Sequence, residues 1–185
     1  MTSHDMNTLR DMPGNQPTSL LIVMVCYRAA HLTIECLRTL APEIPTVPNS
    51  RVIVCENGTG PDSVEMLTQA IESNGWDRWV SLRTISPNRG FSGGNNVVLR
   101  EVLNWEHPPA QVLLLNADTL VRPGALAILM RAAENHPEVG IFGPRLEWPD
   151  GEAQISCFHY QNPPLQKSIL FSHQSLPNTA WFNSA

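Results

Sequence analysis

The sequence predicts an α/β fold with a doubly wound, mostly parallel sheet and flanking helices. The first observation is a set of short apolar runs rich in Val, Ile and Leu, which is typical of strands buried on both faces. These runs cover Leu20–Tyr27, Arg51–Asn57, Val80–Ile85 and Gln111–Asn116. The second observation is their spacing of about thirty residues, the length of one strand–helix–strand unit. Strands and helices that alternate in this way form parallel sheets through right-handed crossovers.

Helix-like spacing of apolar residues fills the intervals between the runs. Four helices are predicted, over His31–Leu40, Asp62–Ser73, Asn95–Trp105 and Pro123–Asn135. The last of them has proline at its first helical position, where the missing N–H costs no hydrogen bond. The apolar run Val139–Phe142 predicts a fifth strand. After Asp150 the pattern stops, and only Ser168–Phe171 has a regular apolar character.

Composition places the chain among ordinary globular proteins. Its 185 residues are 42% hydrophobic and 16% charged, with a formal net charge of −5. A nucleic-acid binder needs clustered Lys and Arg, so we expect no nucleic-acid partner. The longest apolar run, Leu20–Tyr27, has eight residues, far fewer than the ~20 needed to cross a bilayer. The four cysteines form no C-x-x-C pair, which argues against a zinc site and fits a reducing compartment. We therefore expect a cytoplasmic protein without a transmembrane segment.

Ligands of doubly wound sheets bind at the carboxyl ends of the strands, and polar residues collect there in this sequence. Asp118, in the run Asn116-Ala117-Asp118, either holds Mg²⁺ or Mn²⁺ or only caps the following turn. Glu56 either hydrogen-bonds a ribose or base or is a solvated loop carboxylate. The glycine-rich segment 88–96 either cradles an anion at a helix N-terminus, with Arg89 beside it, or is a surface loop.

The order and spacing of five sequence runs resemble those of the family-2 inverting glycosyltransferases, and especially the rhamnosyltransferase-like branch. The resemblance covers roughly Ser19 to Gly151. It implies the GT-A fold, a Rossmann-like sheet that is incomplete at the C-terminus in this chain. The runs are LLIVMVCYRAAHLTIECLRTLAPE, VIVCENGTGPDSVEML, PNRGFSGGNN, VLLLNADTLVRPGALAIL and ENHPEVGIFGPRLEWPDG.

The resemblance implies a role for each matching residue. Tyr27 is expected to lie against the nucleotide base, and Glu56 to hydrogen-bond that base. Asp118 matches the metal-binding aspartate of an Asp-x-Asp-type motif. Arg28 and Glu56 depart from the family pattern, in which asparagine and aspartate are commoner at these positions. The complete set expected at the nucleotide sugar is Tyr27, Arg28, Glu56, Asn57, Arg89, Gly90, Asn96, Asn116 and Asp118.

The domain organisation expected from these features has three regions. Residues 1–18 form a disordered tail, residues 19–150 the nucleotide-sugar-binding domain, and residues 151–185 the loop-rich, truncated start of an acceptor-side region. The expected partners are a UDP- or dTDP-linked sugar, Mg²⁺ or Mn²⁺, and a glycan or lipid-linked acceptor. The resemblance therefore implies a metal-dependent hexosyltransferase in the cytoplasm or at the inner face of the membrane. Its rhamnosyltransferase-like branch suggests rhamnosyl transfer in cell-surface polysaccharide synthesis.

The absence of a matching acidic motif after Gly151 leaves the general base unassigned, and no catalytic residue is named. We expect the chain to bind the donor without transferring sugar, and to self-associate through uncovered apolar surface. A non-catalytic nucleotide-binding fragment is therefore the alternative function. An NAD-dependent oxidoreductase is a remote alternative, since it needs a G-x-G-x-x-G turn after the first strand, where Cys26–His31 contains no glycine.

Overall fold

The computed structural model describes residues 18–154 and the short strand at 181–184. A sheet of four parallel strands forms its centre: β1 (Leu20–Cys26), β2 (Ser50–Asn57), β3 (Val80–Ile85) and β4 (Gln111–Leu114). Their order is β3-β2-β1-β4, with β1 paired to both β2 and β4. The reversal of strand order about β1 is that of a doubly wound sheet, so the predicted fold class is confirmed.

Four helices cover the two faces of this sheet: α1 (Ala30–Leu40), α2 (Pro61–Ser73), α3 (Gly90–Val102) and α4 (Ala125–Asn135). On one face α1, α2 and α4 bury apolar side chains against alternate residues of β1 and β2, such as Ile22 and Val54. On the other face α3 packs Val98 and Val102 against the intervening residues, such as Val23. Because successive strand residues point to opposite faces, continuous apolar runs in β1 and β2 supply both cores.

A second, smaller sheet contains β5 (Thr119–Val121), β6 (Arg145–Glu147) and β7 (Trp181–Ser184), in the order β5-β7-β6. The strand β7 is antiparallel to β5 and parallel to β6.

Glu43 fixes the connection from β5 to α4, because its buried carboxylate accepts the N–H groups of Gly124 (2.9 Å) and Leu126 (3.4 Å). An acidic group at a helix N-terminus satisfies free N–H donors and the helix dipole.

Several details of the predicted secondary structure are wrong: one predicted strand, one helix start and one missed strand. Val139–Phe142 is not a strand: Ile141 is 90% exposed, and the extended segment of this region is Arg145–Glu147. The helix α4 begins at Ala125 instead of Pro123, because Gly124 adopts a positive φ of 82° just before it. The strand β5 was not expected, since its three residues directly follow the polar loop at the end of β4.

The largest correction concerns the glycine-rich segment 88–96. It is predicted as a loop that runs into a helix at Asn95, but the chain is helical from Gly90 onward, so that most of the segment forms the first two turns of α3. The reason is a close approach between α3 and β1. A Cβ atom added to Gly94 would lie 3.0 Å from Cγ1 of Val25, so the absence of a side chain allows the helix to sit directly on the strand.

Parts of the sequence-based domain division lie outside the described residues. These are the predicted disordered tail except Thr18, the segment Ser168–Phe171, and most of the predicted loop-rich region 151–185. Among the helices that the structure does describe, none is both long and apolar enough to cross a membrane.

Candidate functional site

An open cleft of about 360 Å³ lies at the carboxyl ends of the parallel strands. Its walls come from the ends of β1 and β2, the start of α3, and the loop after β4. The described residues that line it are Val25, Tyr27, Ala29, Leu32, Asn57, Asn88, Gly90, Phe91, Asn116, Ala117 and Asp118. A crevice at this edge is the place where doubly wound sheets bind ligands.

The loop after β4 presents two polar side chains to the cleft. Asn116 and Asp118 are exposed, whereas Ala117 between them is buried. The turn is closed by the backbone, since Thr119 N–H donates to the Asn116 carbonyl at 3.2 Å. Within the described part of the chain, no salt bridge or side-chain hydrogen bond engages the Asp118 carboxylate. Its charge is therefore available to a ligand.

The thiol of Cys36 lies beneath this loop, with Sγ 3.9 Å from the Asn116 carbonyl oxygen. Burial raises the pKa of this thiol to about 12; the Thr119 N–H acts against the rise, and the negative charge of Asp118 adds to it. Since only the thiolate binds metals well, Cys36 at neutral pH is a protonated packing residue. The atoms of this loop that could hold a metal at neutral pH are therefore oxygens.

The donor set of this loop fits a hard divalent cation. No cluster of three or more His, Cys, Asp or Glu residues suited to a metal occurs among the described residues. Asp118 supplies a carboxylate and Asn116 an amide oxygen. Mg²⁺, and Mn²⁺ with similar oxygen preferences, are commonly bound by one or two carboxylates together with substrate phosphates. The residues present fit such a partly formed site.

Glu56 is the penultimate residue of β2, and it is not among the described residues that line the cleft. Its side chain is 2% exposed, and its two carboxylate oxygens accept the N–H groups of Gly58 (3.2 Å) and Thr59 (2.9 Å). The carboxylate therefore holds the turn after β2 in shape. Gly58 is required there, because an added Cβ would lie 2.6 Å from the backbone nitrogen of Asn88. Base binding by Glu56 stays a prediction.

Asn57 connects two loops of the cleft and is only 1% exposed. Its amide nitrogen donates to Asn88 Oδ1 (3.2 Å) and to the Gly90 carbonyl (3.0 Å), and its Oδ1 accepts the Arg89 N–H at 3.1 Å. One amide side chain thus uses its acceptor and donors to fix the start of α3. This buried network holds the cleft wall in one arrangement.

Tyr27 and Arg28 form the turn after β1. Tyr27 lines the cleft and is 41% exposed. The Arg28 guanidinium lies over its ring, 5.1 Å from the ring centroid. Arg28 has a φ of 55°, in the left-handed region, and its N–H donates to Thr59 Oγ1 at 2.8 Å. The turns that follow β1 and β2 are therefore joined.

The start of α3 contributes Gly90 to the cleft, whereas Arg89 and Asn96 are exposed and are not among its described lining residues. Arg89 is the residue before the helix, and its guanidinium forms no ion pair within the described ranges. A helix N-terminus with a nearby arginine is favourable for an anion.

The structure brings together five of the nine predicted site residues: Tyr27, Asn57, Gly90, Asn116 and Asp118. It places the other four, Arg28, Glu56, Arg89 and Asn96, beside the cleft or away from its described lining. Six lining residues were not predicted: Val25, Ala29, Leu32, Asn88, Phe91 and Ala117. Most of these neighbour a predicted residue in sequence, so position at a strand end was the available signal. The position of Leu32 in the cleft could not be predicted, because it depends on which face of α1 is turned toward the cleft.

Comparison with known proteins decides the family. A family model described as glycosyl transferase family 2 matches residues 21–174. The chain belongs to glycosyl transferase family 2. This confirms the family resemblance, while membership of the rhamnosyltransferase-like branch stays a prediction. No curated protein sequence matches the chain.

Solved structures share the fold of this family-2 domain. One is S. aureus TarS 1-349, with 16% sequence identity, a TM-score of 0.51, and coverage of 71% of this chain and 35% of that chain. The same protein in complex with UDP-GlcNAc also matches at a TM-score of 0.51 and 16% identity, with coverage of 71% and 34%. The mannosyltransferase PcManGT from Pyrobaculum calidifontis, in complex with GDP-Man and Mn²⁺, matches with 18% identity, a TM-score of 0.51, and coverage of 72% and 36%. The chain thus spans about a third of the length of each of these solved chains.

Proposed function

We propose that this family-2 domain binds a nucleotide-diphosphate sugar together with a divalent metal, and supplies the donor side of a glycosyl transfer. The observation that carries the proposal is the position of Asp118. Its exposed carboxylate, without a described polar partner, lies in the same cleft as the aromatic ring of Tyr27. A diphosphate with its metal and a planar base are the two recognition elements of a nucleotide sugar, and these side chains match them in chemistry.

Different residues of the cleft bind different parts of the nucleotide sugar. The Tyr27 ring offers an apolar face to the base. Asp118 and Asn116 hold the metal and, through it, the diphosphate. The exposed guanidinium of Arg89 and the N-terminus of α3 add positive potential for the phosphate oxygens. When bound, the metal stabilises negative charge on the departing nucleoside diphosphate.

Binding without turnover is the second candidate function, and one observation favours it. Asp118 is the sole Asp, Glu or His among the described residues that line the cleft. If Asp118 holds the metal, the described lining offers no further carboxylate or imidazole to take the acceptor proton. A general base typically contributes 10²–10⁴-fold to such a reaction. The described cleft therefore accounts for donor binding but not for transfer.

The finer parts of the proposal concern substrate and location. We assign the donor to the UDP- or dTDP-linked sugars and the acceptor to glycans or lipid-linked saccharides of cell-surface polysaccharide synthesis, on the strength of the sequence runs that resemble the rhamnosyltransferase-like branch. PcManGT was solved with Mn²⁺ and TarS with UDP-GlcNAc, which supports a metal and a nucleotide sugar here. The free, buried thiols of Cys26, Cys36 and Cys55 fit the cytoplasm or the inner face of the membrane.

Calorimetric titration of the 185-residue chain tests donor binding. UDP, dTDP and NAD are titrated separately, each with Mn²⁺, with Mg²⁺ and with EDTA. We expect UDP or dTDP to bind in the presence of the metal, with weaker binding in EDTA, and NAD not to bind. Absence of diphosphate binding under every condition refutes the proposal. Incubation with UDP- and dTDP-sugars and a lipid-linked acceptor, followed by mass spectrometry, separates transfer from binding alone.

A further inference from the structure

The backbone of Arg28 adopts a conformation that is unfavourable for arginine. Its φ of 55° lies in the left-handed region, which residues other than glycine and asparagine rarely occupy. Such conformations persist where surrounding contacts enforce them, and they cluster at functional sites. One contact that supports this conformation is the hydrogen bond of 2.8 Å from Arg28 N–H to Thr59 Oγ1.

Thr59 is itself held by Glu56. Its N–H donates to Glu56 Oε1 at 2.9 Å, and the second oxygen of that buried carboxylate accepts the Gly58 N–H. A continuous chain of contacts therefore runs from Glu56 through Thr59 to the backbone of Arg28. This chain joins the ends of β2 and β1, the two central strands that border the cleft.

The side chain of Arg28 completes the arrangement. Its guanidinium lies 5.1 Å from the centroid of the Tyr27 ring, within the range of a cation–π contact. Tyr27 lines the cleft, whereas Arg28 is absent from the described lining residues. The guanidinium thus lies over one face of the ring without belonging to the described lining of the cleft, and Arg28 leaves the opposite face uncovered.

We propose that Arg28 is a positioning residue for base recognition: it holds the Tyr27 ring in place so that the free face can stack on the nucleotide base. Glu56 and Thr59 act one step earlier by holding Arg28. The inference rests on the proposed function, and it names the base half of the nucleotide as the part of the ligand that depends on Arg28. Fixing the ring before binding reduces the ordering cost of association. The free face then contributes base–aromatic stacking, which tolerates different bases.

The test compares a ligand that has a base with one that lacks it. UDP and inorganic pyrophosphate are titrated with Mn²⁺ into the full chain and into Arg28→Asn. Asparagine tolerates the left-handed backbone but lacks the guanidinium. We expect UDP affinity to fall roughly two- to fivefold, the range of an exposed cation–π contact, and pyrophosphate affinity to stay unchanged. Arg28→Gly, which also tolerates this backbone, is measured in parallel so that the test does not depend on one variant folding.

Two further variants separate positioning from direct contact. In a Tyr27→Ala background, Arg28→Asn should cause no additional loss of UDP affinity, because Arg28 acts through the ring. Thr59→Val removes the acceptor of the Arg28 N–H with little change in shape. It should lower UDP affinity by a smaller factor than Arg28→Asn and again spare pyrophosphate.

The possible outcomes are distinguishable. An equal loss for UDP and pyrophosphate in Arg28→Asn overturns the inference, because it shows that Arg28 contacts the phosphates. Unchanged UDP affinity in both Arg28 variants also overturns it, while leaving the proposed function intact. Failure of the unmodified chain to bind UDP, dTDP or pyrophosphate with Mn²⁺ refutes the proposed function, and the inference falls with it.

Discussion

Replacing Asp118 with asparagine removes the sole carboxylate among the described residues that line the cleft, while side-chain volume is preserved. Even loss of a residue that only supports a metal ligand typically costs 10–100-fold in metal affinity. Loss of the ligand itself should therefore weaken Mn²⁺-dependent UDP binding by at least about tenfold, or ~1.4 kcal/mol. Because Asp118 is exposed and has no described polar partner, stability should change by less than ~0.5 kcal/mol.

The assay is calorimetric titration of UDP into each variant with Mn²⁺ and with EDTA, accompanied by thermal melting. Asp77→Asn is the matched control, since Asp77 is also exposed but lies in the 3-10 turn before β3, at the opposite edge of the sheet. We expect this control to keep the full metal dependence. If Asp118→Asn keeps it too and instead loses ~1 kcal/mol of stability, Asp118 caps a turn and the metal-site reasoning is refuted.

Three predictions concern the frame around the cleft. Gly58→Ala should lower the free energy of unfolding in urea by roughly 2–4 kcal/mol, because Gly58 has a φ of 83° and an added Cβ would lie 2.6 Å from backbone. The control Gly140→Ala should be near neutral, since Gly140 is in open space at an ordinary φ. Equal effects of the two substitutions would contradict this prediction. Glu43→Gln should lose about 1–2 kcal/mol by removing the charged cap of α4, and unchanged melting would show that the cap is dispensable. The pKa of Cys36 is raised from 9.0 to about 12 in the folded protein, so the thiol makes its full contribution to stability below pH 9. As the pH rises from 9 toward 12, deprotonation of the unfolded chain lowers the free energy of unfolding by up to ~1.4 kcal/mol per pH unit from this thiol. In Cys36→Ala this decline should be shallower, and an identical slope would refute the assignment.

The sequence was sufficient for the central fold because burial on both faces leaves a strong local signal. Continuous apolar runs mark β1 and β2, and carboxyl ends of parallel strands share one edge, so Tyr27, Asn116 and Asp118 could be placed together. The start of α3 could not be foreseen in the same way. Glycine disfavours helices locally, and the reason for Gly94 is tertiary, since Val25 of β1 lies against it. Local propensity and packing disagree there, and packing decides.

The roles of Glu56 and Asn57 were also beyond the reach of sequence patterns. An acidic residue at the end of β2 has the same sequence signature whether it faces a ligand or folds back onto its own turn. Here the carboxylate of Glu56 accepts the N–H groups of Gly58 and Thr59, two and three residues further along the chain. Asn57 engages the loop before α3, which is about thirty residues away along the chain. Only the relative placement of two loops distinguishes these possibilities.

Burial therefore divides the polar residues at this edge of the sheet into two groups with different expected behaviour. Glu56 and Asn57 are 2% and 1% exposed and hydrogen-bond within the protein, so their loss leaves buried donors or acceptors without partners and lowers stability. Tyr27 and Asp118 are exposed in the cleft, so their loss should lower ligand affinity at nearly constant stability. The buried pair fixes the turn after β2 and the start of α3, and Thr59 joins that turn to the one that contains Tyr27 and Arg28. If the proposed function is correct, we expect this frame to hold the base-binding side of the cleft in one arrangement before the nucleotide binds.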